Sequence, residues 1–385
     1  MSNHLFRQPR TALAAVALAT CFTTGPASAS AVDHHKTSPD FDKRASTVMD
    51  YLSGLTEDGK TLAGTQVNEY EVFLKCDSMD RLVQMTGAEP AVLGLELMFA
   101  NEYPPFEDYF VDHAVTHSRQ GGLVTVAWHQ RNPLKVCMRG EFYTCSQTAM
   151  TAEELDRMLT PGTPEHDLWK ADVDVAARTL KRLEDEGVLV FFRPYHEMNG
   201  GWFWWGQKDA YPQLWDALYE VLVEEHGLTN LVWVWSGNRA TEDAPRYWPE
   251  KHKPDIIATD VYETDSDSAS FYDGATNIKA LAPDTLFALT EVGKAPSDKV
   301  LAETQPAWVL IWGGNYLNAD WTDGSDSAKG CDGCNTMEET MAFFANERIV
   351  DLTEMPKSVR KALAGEEPEA PAERPYCPAT LLESN

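Results

Sequence analysis

The chain has 385 residues, 43% hydrophobic and 10% aromatic, enough to bury one large core, and α/β barrels hold this length as a single domain. Against 32 basic residues stand 60 acidic ones, a formal net charge of −28 that repels nucleic acid and anionic membranes and excludes both as partners. A neutral polymer suits such a surface, and the chain is expected to work as a monomer.

At the N-terminus, Arg7 and Arg10 precede an apolar run from Ala12 to Phe22, and Ala27-Ser28-Ala29 offers small residues for cleavage. The pattern predicts a secretory signal peptide over residues 1–29, cleaved after Ala29 or, as second choice, after Ala31. The run is too short for a membrane anchor, and no later run reaches the required length. Cleavage removes two positive charges and no carboxylate, taking −28 to −30.

A helix is expected from Phe41 to Leu55. Eight strand-like runs follow: Thr61–Gln66, Ala91–Leu97, Leu123–Trp128, Val188–Pro194, Leu231–Ser236, Ile256–Tyr262, Leu286–Glu291 and Trp308–Trp312. Amphipathic stretches separate most of them, clearest at Glu165–Glu186 and Tyr211–Glu225, while Ala244–Lys251 and Ser297–Thr304 are short. Buried strands alternating with helices predict an α/β fold, a (β/α)₈ barrel, with a doubly wound open sheet as the alternative. The catalytic domain is expected over residues 30–355, followed by a Glu/Pro-rich tail over 356–385.

Residues His129 to Thr163 show little periodicity and read as an extended loop over the barrel mouth. In a second loop, Asn318–Asn335, the residues Asp320, Asp323 and Asp326 suggest calcium, but their spacing matches no EF-hand and a solvated turn is the simpler reading. Once Cys21 leaves with the signal, six cysteines remain, and an even count in an exported chain favours disulfides. Proximity favours Cys137 with Cys145 and Cys331 with Cys334, leaving Cys76 with Cys377 to tether the tail. Zinc competes at Cys331-x-x-Cys334, but no second CxxC accompanies it.

The most informative stretch is Val188 to Gly206, an apolar strand that turns polar at Arg193-Pro194, presents His196, Glu197 and Asn199, and closes on Gly200-Gly201 and four aromatics. Polar residues ending a buried strand are how a parallel barrel delivers side chains to its C-terminal face. The aromatics Trp202, Phe203, Trp204 and Trp205 suit the flat faces of sugar rings and would desolvate Glu197, raising its pKa. For Trp204 and Trp205 a core role is at least as good a reading. Glycosidic hydrolysis needs a second carboxyl. The run Thr285 to Gly293, with Glu291 near its end, fits that need, while a salt-bridged carboxylate at a strand end is an equally good reading of Glu291 from the run alone.

Arg193-Pro-x-His196-Glu197-x-Asn199-Gly-x-Trp202-Phe-Trp-Trp-Gly206 resembles the acid/base strand of glycoside hydrolase family 26, best known for β-mannanases. Thr290-Glu291-x-Gly293 resembles the family's nucleophile strand. The resemblance covers roughly residues 60–315 and implies a secreted, retaining endo-β-1,4-mannanase acting on mannan, galactomannan or glucomannan, with Glu197 as acid/base and Glu291 as nucleophile. It further implies that His196 contacts the site, that Tyr262 hydrogen-bonds the nucleophile, and that His129, in Trp128-His129-x-x-Asn132-Pro133, lines the glycone side. Trp202 would be a platform on the leaving-group side and Trp312 the floor under the reacting sugar. Arg193, Asn199 and Trp128 complete the substrate-binding candidates. The chain departs from the family at Gly94-Leu95-Glu96, where Gly-Phe-Asp is frequent, and at Ser236-Gly237-Asn238, where Ser-Pro-Asn is common. The first departure bears on the distal glycone subsites.

A β-1,3-1,4-glucanase or xylanase of the same family is the near alternative, and a non-catalytic carbohydrate-binding barrel the more distant one. His196-Glu197 is followed by Gly200 rather than His, so no H-E-x-x-H zinc helix forms. No G-x-S-x-G elbow or phosphate loop occurs either, and nothing in the sequence requires a cofactor or metal.

Overall fold

The computed structural model describes residues 41–377, apart from 69–70, 72–75, 100–103, 139–140, 240–241, 322–330 and 332. The expected signal peptide, Asp323 and Asp326 lie outside the described residues. Eight parallel strands close into a barrel: β1 (Thr61–Gln66), β2 (Val92–Glu96), β3 (Leu123–Trp128), β4 (Val190–Pro194), β5 (Leu231–Asn238), β6 (Ile256–Val261), β7 (Leu286–Val292) and β8 (Trp308–Ile311). Closure comes from β1, which pairs with β8 through Leu62–Thr65 and with β2 from Gly64 onward. At that seam a Cβ on Gly64 would lie 1.7 Å from the Val92 carbonyl oxygen, so only glycine lets the strands meet. A short strand β9 (Ile349–Val350) pairs with Thr61 and Leu62 just before β2 takes over.

The helices stand between the strands as the alternation requires. They are α1 (Phe41–Glu57), α2 (Ser78–Thr86), α3 (Pro104–Arg119), α4 (Phe142–Ser146), α5 (Ala152–Met158), α6 (Pro164–Asp185), α7 (Tyr211–Tyr219), α8 (Ala269–Leu281), α9 (Asp298–Thr304), α10 (Met337–Phe344) and α11 (Lys357–Ala364). The stretch expected to be helical to Glu225 leaves α-geometry at Tyr219 and ends in a π-helical turn, Glu220–Glu225. Among the described residues of the next connection, a short 3₁₀ turn forms at Ala244–Tyr247.

The span His129–Thr163 is more ordered than its weak periodicity suggests, since it carries α4 and α5. Thr151 and Glu154 close a capping box on α5, a Thr-x-x-Glu signal present in the sequence. The helix α11 lies past residue 355, where composition turns toward the tail. Its Val359 and Leu363 pack with Val48 and Leu52 of α1 and with Leu62, Val92, Phe191, Ile256 and Trp308 of the strands. These residues form one apolar plug that closes the N-terminal end of the barrel. Arg44 of α1 locks it, donating to the carbonyls of Ala362 (2.6 Å) and Leu363 (2.8 Å) at the negative end of α11.

The disulfides are Cys76–Cys377, Cys137–Cys145 and Cys331–Cys334. Around the first, the Gln84 side chain exchanges two hydrogen bonds with the Cys377 backbone (2.9 and 2.7 Å), and Arg374 bridges Asp80 and Glu89 at 3.1 Å each.

Candidate active site

Two backbone irregularities deliver the site. Along β4, Phe191 faces the floor and Arg193 follows it on the same face. Past the strand end, Tyr195 and Glu197 adopt left-handed backbone angles, φ 47° and 53°, which non-glycine residues seldom hold. The turn is secured by Glu197 N–H donating to the Ser236 carbonyl (2.9 Å) and Gly200 N–H to that of Glu197 (2.8 Å). In β7, strict alternation from the inward Ala288 would point Thr290 inward and Glu291 away. Instead, Leu289 pairs with Thr259 and Glu291 with Asp260, so Thr290 is an extra residue, a bulge that turns Glu291 into the mouth. Thr290 repays the kink by donating to Asp260 at 2.6 Å.

The two carboxyls occupy different environments. Glu291 accepts from the Arg193 guanidinium on one oxygen and from Tyr262 OH on the other (2.7 Å). Arg193 is fully buried and also holds Asp260 at 3.1 Å. Burial disfavours its charge, but the carboxylates of Glu291 and Asp260 more than offset that and raise its pKa. Glu197 accepts only neutral donors, Trp202 Nε1–H (2.7 Å) and Asn238 Nδ2–H (3.1 Å). Burial, with the nearby charges of Asp260 and Glu291, pushes its pKa up to about 8. One carboxyl is thus ringed by donors that favour its charge, the other by surroundings that keep its proton, the division that glycosidic cleavage needs.

Both face a cavity of about 780 Å³. Of the residues expected from sequence, His129, Glu197, Trp202, Tyr262, Glu291 and Trp312 line it. Arg193 and His196 stand behind that lining. So does Asn199, whose side chain brackets the Asn238 backbone at 2.8 and 3.1 Å and so aims Asn238 at Glu197. Trp128 is a correction: the alternation of β3 turns it out of the barrel, where it is buried against Tyr195 with ring centroids 6.0 Å apart. Trp204 and Trp205 are likewise core, each anchored by its indole N–H to a backbone carbonyl, while Phe203 beside them reaches the cavity.

Sequence reasoning missed several residues. Tyr143 of α4 reaches the mouth, 5.4 Å from the His129 ring, on a segment fastened by Cys137–Cys145. Tyr316, with its ring 5.4 Å from that of Tyr262, lines the same cavity. Asn238 ends β5, a strand expected to stop at Ser236 that runs on through Gly237. Glu96, noted only as a departure, accepts from the backbone N–H of Met98 and His129 (2.9 Å each) and binds the His129 ring at Nδ1. Burial opposes charge on that ring, but Glu96 wins and raises its pKa. The signal for Glu96 was legible: a carboxyl ending a buried strand needs partners.

A parallel (β/α)₈ barrel with two unlike buried carboxyls at the C-terminal mouth of an aromatic-lined cleft is the architecture of a barrel glycoside hydrolase. The chain belongs to glycosyl hydrolase family 26, whose model matches residues 37–330. A mannan endo-1,4-beta-mannosidase of Thermothelomyces thermophilus is 33% identical over 301 residues, covering 74% of this chain and 58% of that protein. The chain therefore spans little more than half of that relative's length. A Bacillus subtilis protein of the same name is 30% identical over 66% of this chain and 72% of its own. Among solved structures, GH26A from Muricauda sp. MAR_2010_75 aligns with TM-score 0.69 and 30% identity, over 82% of this chain and 98% of its own. A Podospora anserina GH26-CBM35 beta-(1,4)-mannanase aligns with TM-score 0.67 and 29% identity, over 84% and 69% of the two chains.

Proposed function

We propose that the protein is a secreted, retaining endo-β-1,4-mannanase. The observation that carries the reading is the pair of carboxyls: Glu291 clamped between Arg193 and Tyr262, and Glu197 kept protonated to about pH 8, on one cavity. In the first step Glu291 attacks the anomeric carbon while Glu197 passes its proton to the departing glycosidic oxygen. The bond from carbon to that oxygen breaks as the glycosyl ester forms. In the second step Glu197, now ionised, takes a proton from water as the water oxygen bonds to the anomeric carbon and the ester bond to Glu291 breaks, which releases the sugar and restores both groups. Trp202, 39% exposed and hydrogen-bonded to Glu197, offers its ring to the leaving group's sugar, and Trp312 lies under the reacting one. β-Mannan as substrate is supported by the activity for which the relatives are named, and export by the sequence of residues 1–29.

Reducing-sugar release from galactomannan, glucomannan, mixed-linkage glucan and xylan tests the substrate. Activity confined to the last two would move the assignment to the glucanase or xylanase alternative. Proton NMR within minutes of mixing tests the stereochemistry: retention yields the β-anomer first, which requires the two carboxyls about 5–5.5 Å apart.

A further inference from the structure

We propose that the mouth of the barrel holds a built site for a single borderline-soft divalent cation, Zn²⁺ or Cu²⁺, ligated by His129, His196 and Glu291, and that its occupancy blocks the cleft. One ligand atom from each of the three lies within 4.8 Å of the others, and all three residues are buried. Nε2 of His196 is 3.5 Å from Oε1 of Glu291. With zinc bonds of about 2.0–2.1 Å, the edge of a tetrahedral site is about 3.3–3.4 Å, so these two atoms already stand near ligand spacing.

Two independent features point to an occupant. His196 is 1% exposed, and neither ring nitrogen has a hydrogen-bond partner, an arrangement buried imidazoles rarely keep. His129 is the complement: Glu96 holds its Nδ1, which fixes the ring and leaves Nε2 for a ligand. A carboxylate behind a histidine is the outer support that metal-binding histidines commonly have. The rings of His129 and His196 meet edge to face, with centroids 4.4 Å apart. The buried carboxyls Glu96, Asp260 and Glu291 offset the nearby Arg193 guanidinium, which donates to the same Glu291 oxygen. Three protein ligands leave the fourth position of a tetrahedral ion facing the cavity, where a water or a sugar hydroxyl fits.

An ion there would occupy Glu291 and sterically displace the reacting sugar. Binding does not depend on which polysaccharide the cleft takes, whereas competition rests on the proposed function, so the two are measured separately. Titration calorimetry of the full chain with ZnCl₂, and the visible spectrum of Co²⁺ in its place, should show one ion per chain with the intense bands of four-coordinate cobalt. Mg²⁺ and Ca²⁺ should not compete. Mannohexaose should weaken Zn²⁺ binding, and Zn²⁺ should inhibit competitively.

His129→Gln and His196→Gln should each abolish the cobalt bands. Glu96→Gln, which leaves all three ligands in place, should lower affinity about 10–100-fold. Histidines elsewhere in the chain are the rival, so His226→Gln, at the exposed His226–Asp174 pair, and the double change His34→Gln/His35→Gln should leave binding intact. Circular dichroism confirms that each variant is folded. If either control abolishes binding, if no cobalt spectrum develops at ~1 mM, near the weak end of specific affinities, or if Glu96→Gln binds as wild type, the proposal is overturned. Binding that survives while mannohexaose fails to compete would place the fault in the substrate assignment instead.

Discussion

The two ends of the barrel are built from the same strands and differ by one or two residues per strand. In β4 Phe191 faces the floor and Arg193 the mouth; in β6 the pair is Ala258 and Asp260; in β7 it is Ala288 and, after the bulge, Glu291. The floor is apolar, sealed by α1 and α11, and held by packing together with the Arg44 hydrogen bonds to the end of α11. The mouth instead buries Arg193, Asp260, Glu291, Glu197, His129 and His196. Buried ion pairs contribute little net stability, because desolvation consumes most of their attraction. Stability is therefore concentrated at the floor, which leaves the mouth free to hold buried charges that packing alone would not favour.

The largest effect that would break this division is at the mouth. Glu197→Gln and Glu291→Gln should each cut turnover on polymer by at least about 10²–10⁴-fold while the melting temperature stays near wild type. An activated aryl mannoside separates them: Glu197→Gln should give a burst and then stall, and Glu291→Gln no burst. The reverse order would exchange their proposed roles. A loss of several degrees in both variants would show that the mouth carries stability after all.

At the floor the pattern should invert. Leu52→Ala removes a fully buried side chain from the plug and should cost about 2–5 kcal/mol with kcat unchanged at temperatures where the variant is folded. Cys377→Ser should cost about 2–4 kcal/mol, since the bridge it opens spans a sequence separation of 301 residues. Urea titration followed by tryptophan fluorescence reads both. Unchanged midpoints would mean that α1, α11 and the tether add nothing to the fold.

How much of this was legible follows from the periods involved. The strands were readable because a short β-branched and aromatic run that ends in His, Glu or Asp fits little besides a buried strand opening onto a polar mouth. Glu197 and Glu291 stood out at the ends of such runs, whereas Tyr262 and His129 were singled out through the resemblance to the family. Trp128 failed because a tryptophan at a strand end can point either way, and only the register of β3 decides. The bulge at Thr290 was invisible for the same reason, yet it is what makes Glu291 a mouth residue. Tyr143 and Tyr316 sit on connections with little periodicity, and the partners that aim them are distant in sequence. Helix α11 was missed because the Glu/Pro composition beyond Gly365 coloured the whole segment, although Val359, Ala362 and Leu363 carry helical spacing.

The smallest expected effect is also the sharpest, because two substitutions should move it in opposite directions. Glu197 has an ordinary value of 4.5 and is pushed up to about 8, by burial first and then by the charges of Asp260 and Glu291. Asp260 is itself raised to about 7 by burial, against the pull of Arg193, so the cluster titrates as a unit and one limb reports the group. The native chain holds the Glu197 proton more tightly than the unfolded chain does. Its contribution to stability is therefore full below pH 4.5 and is lost as pH rises toward about 8. The proposed acid needs that same proton, so kcat/KM should fall along a basic limb near pH 8. Trp202→Phe deletes a donor that favours the charged carboxyl and should move the limb upward by up to about one unit, or about 1.4 kcal/mol. Asp260→Asn deletes a neighbouring negative charge and should move it downward by a similar amount. Trp202→Phe should also raise KM through the lost indole surface, but KM alone cannot produce a shift of sign between the two variants. A limb that stays in place in both would belong to some other group, and the acid role of Glu197 would fail with it.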